Sequence, residues 1–118
     1  MRRVFLPETI AEIGAFAFSG CATLERIHLP ERLTAVSKRI FDGCGALQEI
    51  SLPRAVRSIG DYAFYGCERL KELRLPEGVE SIGRYAFYNC RRMEKINIPL
   101  AARELNTGLF LNCDSLKH

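Results

Sequence analysis

Cys44-Gly-Ala-Leu47-Gln-Glu-Ile50-Ser-Leu52-Pro53-Arg-Ala-Val56-Arg-Ser-Ile59-Gly60-Asp-Tyr-Ala63-Phe64-Tyr-Gly-Cys67 is one turn of a repeating chain, closed by the cysteine that opens the next. The prolines stand at Pro7, Pro30, Pro53, Pro76 and Pro99, and the cysteines at Cys21, Cys44, Cys67, Cys90 and Cys113. Both series step by 23 residues without an insertion, and Phe18, Phe41, Phe64, Phe87 and Phe110 keep the same step. A fixed period of that length marks a solenoid in which each repeat stacks on the next. Five such repeats account for 115 of the 118 residues, so the whole of 1–118 reads as one solenoid, a segment of a longer array.

Within a repeat, Ile27 and Leu29 alternate around His28, the period of a strand with one buried face. Proline follows and ends the strand, because it has no N–H to give a ladder. Val56-x-x-Ile59 reads as a second short extended stretch. Gly60 ends it, and a left-handed backbone angle is the expected reason for a glycine there. Asp61 to Cys67 is too short for a stable α-helix and reads as one 3₁₀ or helical turn that folds Ala63 and Phe64 inward. The expected fold is therefore mostly β with short helical turns, wound as a right-handed leucine-rich repeat solenoid of about five coils.

Cys-x-x-Leu-x-x-Ile-x-Leu-Pro-x-x-Val-x-x-Ile-Gly-x-x-Ala-Phe-x-x-Cys, with about ten matched positions in each of five repeats, resembles the BspA-like, Treponema pallidum-type leucine-rich repeats of bacterial surface proteins. Two repeats depart from the pattern. The second has Ser37, Arg39 and Ile40 where glycine, an aromatic and alanine are usual, and the fifth has Ala102, Asn106, Gly108 and Leu109 at its corresponding slots. The resemblance implies an extracellular or cell-surface location and a role in adhesion, with fibronectin and fibrinogen as partners to try. The rival reading is a structural or intracellular array segment without a ligand of its own.

Composition narrows the other classes. Hydrophobic residues make up 47 % and charged residues 26 %, ordinary for a folded domain. The net charge of +3 is spread over the repeats as roughly 0, +1, 0, +2 and 0; Arg69, Arg74, Arg84, Arg91 and Arg92 make repeats three to four somewhat basic, a weak sign of a polyanion site, and no nucleic-acid partner is expected. No apolar run approaches the roughly 18 residues of a membrane span. Pro7 and Glu8 interrupt any apolar stretch after Met1-Arg2-Arg3, so no secretory signal is read in this chain. Val4 at one end and Leu116-Lys117-His118 at the other read as open, uncapped coils, with self-association as the expected consequence.

No Cys-x-x-Cys spacing exists, and His28 and His118 lie far apart along the array, so no metal site and no cofactor are expected. Cysteines at one repeat position would point the same way, which suits a buried column of thiols better than disulfides. Regular columns also fail to bring unlike groups into one pocket, so no enzyme is expected.

Two surfaces compete as a binding site. The outward columns of the first strand hold Arg3, Arg26, Glu49, Glu72 and Lys95 in one row and Phe5, His28, Ser51, Arg74 and Asn97 in the other. In such a solenoid this concave sheet is the usual recognition face. Tyr62, Tyr65, Tyr85 and Tyr88, all in repeats three and four, form a two-by-two aromatic cluster on the turn side. Phe16 fills the Tyr62 column in repeat one, so Tyr62 and Tyr85 read first as packing. Ser19 and Asp42 occupy the other column, so Tyr65 and Tyr88 stand between packing and recognition.

Overall fold

Residues 23 apart pair across coils throughout the computed structural model, which describes residues 3–102, the backbone of 104–105, and 113–116. Strand β1 (Arg3–Phe5) pairs in parallel with β2 (Arg26–His28), and β2 with β4 (Glu49–Ser51), in the register Arg3↔Arg26↔Glu49. On the same side, β6 (Glu72–Leu73) pairs with β8 (Lys95–Ile96). A second parallel sheet joins β3 (Ala35–Val36), β5 (Ser58–Ile59), β7 (Ser81–Ile82) and β9 (Glu104–Leu105). Among the described residues there is no helix.

Each corner has a local cause. The prolines accept the turn bonds that follow the first strand, as in Leu33 N–H to Pro30 O (3.2 Å) and Val56 N–H to Pro53 O (3.2 Å). In the 61–67 segment, i→i+3 bonds such as Tyr65 N–H to Tyr62 O and Cys67 N–H to Phe64 O form as expected of a 3₁₀ turn. They alternate with bonds to the next coil: Tyr62, Phe64 and Gly66 donate to the carbonyls of Arg84, Ala86 and Tyr88 at 2.8–2.9 Å. This side of the solenoid is thus a third parallel ladder, and its inter-coil bonds prevent the turn from winding into a helix.

Left-handed angles occur in the column of Gly20, Gly43, Gly66 and Asn89 but not at Gly60. Gly60 is absent from the positive-φ positions, whereas Phe16, Arg39, Tyr62 and Tyr85, one column two residues further on, have φ of 54–64°. Gly60 is needed for close approach instead: a Cβ there would lie 2.6 Å from the backbone nitrogen of Lys38 in the coil below. Ser37, in the same column, keeps its Cβ and turns its hydroxyl to the carbonyl of Ile13.

The interior is built of columns. Leu24, Leu47 and Leu70 are buried, as are Val36, Ile59, Ile82 and the phenylalanines Phe41, Phe64 and Phe87. The phenylalanine rings stack at centroid distances of 5.8, 5.5 and 5.6 Å from Phe18 to Phe87. Phe18, with a stacked ring on one side, is partly exposed; Phe110 lies outside the described residues. The Ile40 departure is absorbed, since that side chain is fully buried, and Ala102 packs against the core. Asn106, Gly108 and Leu109 lie outside the described residues, as does His118.

Candidate protein-binding face

The first-sheet strands bury one column and expose two. Ile27 and Leu73 point into the core, while Arg26, His28, Glu49, Ser51, Glu72, Arg74, Lys95 and Asn97 are all exposed. Strands β4 and β6 are neighbours but share no ladder pairs, and a groove of about 1160 Å³ lies across this break. Glu49, Ser51, Glu72, Arg74, Lys95 and Asn97 line it, joined by Arg69, Lys71, Arg92 and Glu94. Of the last four, the sequence singles out Arg69 and Arg92 only as part of a somewhat basic stretch, and Lys71 and Glu94 escaped it, because the binding-face reading took only the two columns inside the strand. Their columns immediately precede it, and that adjacency was the available signal.

Not all of these side chains are free to receive a ligand. Arg26 and Glu49, opposite each other in the ladder, form an exposed ion pair at 3.9 Å. Such a pair contributes about 0–1 kcal/mol and is easily exchanged for another partner. His28 Nε2 donates to Glu8 Oε1 at 3.1 Å, and the other oxygen of Glu8 accepts the Glu31 N–H at 3.4 Å. Asn97 is committed: its Oδ1 accepts the Leu75 N–H at 2.7 Å and its Nδ2 donates to the Leu75 carbonyl at 2.9 Å. That two-point bond replaces the backbone ladder where β6 and β8 stop. The side chains of Ser51, Glu72, Arg74 and Lys95 have no hydrogen-bond or ion-pair partner among the described residues, and they remain the available groups of the two columns.

The tyrosines do gather as expected. Tyr62 stacks on Tyr85 at 5.2 Å and Tyr65 on Tyr88 at 5.1 Å, with tilted contacts of 5.5 Å within each coil. Each ring gives a face to its equivalent one coil away, and all four are half-buried. Arg39 continues the first column, its guanidinium 4.1 Å over the Tyr62 ring, and Asp42 continues the second, held by Arg39 Nη1 at 2.7 Å. The substitution of Arg39 for an aromatic is thereby explained: an ion pair occupies the two slots that a tyrosine pair fills in the next coil. Each such stacked or cation–π contact is worth about 0.5–2 kcal/mol, and it offsets the left-handed backbone of the column, which costs about 1–2 kcal/mol per residue.

The five cysteines are free thiols; Cys44, Cys67 and Cys90 are buried and Cys21 and Cys113 partly so. Burial pushes the Cys44 thiol up to about 11 and holds the Cys67 thiol well above its ordinary value. Each is a hydrogen-bond donor to the phenylalanine carbonyl of the preceding coil, as in Cys44 Sγ to Phe18 O at 3.1 Å. Among the described residues no group of three or more His, Cys, Asp or Glu is placed to hold a metal ion. Among them, too, no helix is long and apolar enough to cross a membrane.

Stacked 23-residue coils with an exposed strand face define a leucine-rich repeat solenoid. The chain belongs to the BspA type leucine rich repeat family, whose model matches six copies over residues 1–117. Among solved structures, it is similar to the leucine-rich repeat protein of Treponema pallidum at 32 % identity and a TM-score of 0.93, over 97 % of this chain and 56 % of that one. A leucine-rich repeat protein from Bacteroides ovatus matches at 41 % identity and a TM-score of 0.94, over 98 % of this chain and 30 % of that one. A leucine rich cell surface protein from Faecalibacterium prausnitzii matches at 30 % identity and a TM-score of 0.94, over 99 % of this chain and 31 % of that one. The chain therefore spans between about a third and just over half of these proteins. No curated protein matches it.

Proposed function

We propose that this chain is a non-enzymatic protein-binding module of a cell-surface adhesion protein, and that the outward face of β4, β6 and β8 is its recognition surface. The observation that carries this reading is the groove across the β4–β6 break, whose lining includes the exposed side chains of Ser51, Glu72, Arg74 and Lys95, which have no partner among the described residues. The tyrosine cluster is the weaker candidate, because its ring faces are already engaged with one another. The surface location is taken over from the F. prausnitzii relative, described as a cell surface protein.

Immobilised fibronectin and fibrinogen are the first partners to assay. Glu72→Lys with Arg74→Glu should weaken a complex and change its salt dependence, since both residues are exposed and unpartnered on the groove wall. Tyr65→Ser with Tyr88→Ser should leave it nearly unchanged. The opposite pattern moves the site to the tyrosine side. A folded, monomeric sample that binds neither protein would favour a structural array segment.

A further inference from the structure

Charged columns on the groove side often alternate in sign but not always: Arg3 is followed by Arg26, and Glu49 by Glu72, with Glu49 paired to Arg26 at 3.9 Å. Glu68 is succeeded one coil on by Arg91, Lys71 by Glu94, and Glu72 by Lys95, so opposite charges sit at equivalent positions of successive coils. Arg69 is succeeded by Arg92. Coils stack at roughly 4.7–4.9 Å, and like charges directly opposite each other in a ladder destabilise it. Both arginines are exposed, both line the groove, and neither has an ion-pair partner among the described residues. Arg74 is likewise unmatched, since its neighbour Asn97 is neutral and spent on Leu75. The side chains that line the groove carry five positive and three negative charges, a balance of +2.

We infer that the groove receives an acidic segment of a partner protein, with one carboxylate held between Arg69 and Arg92 and a second at Arg74. This rests on the reading of that face as a protein-binding surface. A planar guanidinium presents paired N–H donors to a carboxylate, and a carboxylate between two of them converts their repulsion into attraction. Glu49, Glu72 and Glu94 line the same groove. They oppose a uniformly charged chain such as a sulfated glycan or a nucleic acid, whereas a peptide can space its acids to avoid them.

Fluorescence anisotropy on the intact chain tests this with a labelled twelve-residue peptide carrying three glutamates separated by glycine and serine. Its glutamine counterpart and a heparin oligosaccharide serve as comparisons. The glutamate peptide should bind, and the glutamine peptide should bind about tenfold more weakly. Arg69→Gln with Arg92→Gln should weaken the glutamate peptide about tenfold. The same charge loss off the groove, Arg32→Gln with Arg54→Gln, should have little effect, and Glu72→Gln should strengthen binding. Equal binding of the two peptides, indifference to the Arg69 and Arg92 exchange, or binding of heparin without the peptide overturns the inference. If a protein ligand responds to the Glu72 and Arg74 exchange but not to Arg69 and Arg92, the binding face stands and the acidic-segment site falls.

Discussion

The thiol of Cys90 donates to the carbonyl oxygen of Phe64, one coil earlier, at 3.2 Å. The same oxygen accepts the Cys67 N–H at 3.2 Å, so a turn carbonyl in the core has two donors, one from each coil. Cys67 Sγ to Phe41 O and Cys113 Sγ to Phe87 O repeat the arrangement. A thiol suits this position because it packs as a small apolar group yet still carries a weak donor.

Alkaline pH should therefore destabilise the fold through these thiols. Burial raises Cys67 well above its ordinary value of 9.0, so the unfolded chain releases that proton first. Stability is unaffected while both states are protonated and is lost as pH rises past 9, where the unfolded state binds fewer protons. Melting temperature measured from pH 7 to 11 should fall more steeply for the native chain than for Cys67→Ala. Identical slopes would mean that the column does not titrate as argued.

Thiol reagents should meet the same barrier. Cys44, Cys67 and Cys90 should react only as the chain opens, with Cys21 and Cys113 modified earlier. Intact mass should be the same before and after reduction; a gain of four protons would indicate two disulfides.

Phe64 is wholly buried and stacked on both sides, by Phe41 and Phe87. Phe64→Ala should cost about 3–5 kcal/mol, enough to unfold a solenoid of this length. A melting temperature within a degree or two of the native value would contradict a core role for this column.

Arg39 is expected to matter through Tyr62 and Asp42 together. Arg39→Ala removes the cation–π contact and leaves a half-buried carboxylate unpaired, a loss of about 1–2 kcal/mol. Arg39→Tyr with Asp42→Tyr would extend the tyrosine ladder by one coil and should recover most of it. Chemical denaturation of the three proteins decides the matter; a double variant no better than Arg39→Ala would refute the equivalence of ion pair and ring pair.

Glycines of one column should respond differently. Gly60→Ala places a Cβ against the Lys38 backbone, which cannot swing aside, and should cost about 1–3 kcal/mol. Gly14→Ala meets nothing within 4 Å and should be neutral or stabilise by about 0.4–1 kcal/mol. Similar effects at both positions would rule out coil contact as the reason for Gly60.

Much of this architecture was legible in the columns. Cys, Leu, Ile, Pro and Phe recurring at one period mark the same inward positions in every coil, and Leu24, Leu47, Leu70, Phe41 and Phe64 are buried accordingly. Gly60 was legible as a special position but not for its reason, because a short contact between coils leaves no mark distinguishing it from a left-handed turn. One left-handed column, Gly20, Gly43, Gly66 and Asn89, has the residue types expected of it; the other, Phe16, Arg39, Tyr62 and Tyr85, has types that give no such warning.

By itself, then, the sequence determined the coil, its core columns and the two faces on which a site could lie. A strict period forces equivalent residues into equivalent environments, and burial of apolar columns needs no further information. Which polar groups remain available was decided only in three dimensions. Asn97 reaches across to the Leu75 backbone of the neighbouring coil, His28 reaches Glu8, and Arg39 covers Tyr62. Arg69 and Arg92 read in the sequence as two arginines among five in a somewhat basic stretch, and only the wound chain brings both to one groove. Pairing depends on side-chain reach between neighbouring coils, and that distance exists only once the chain is wound.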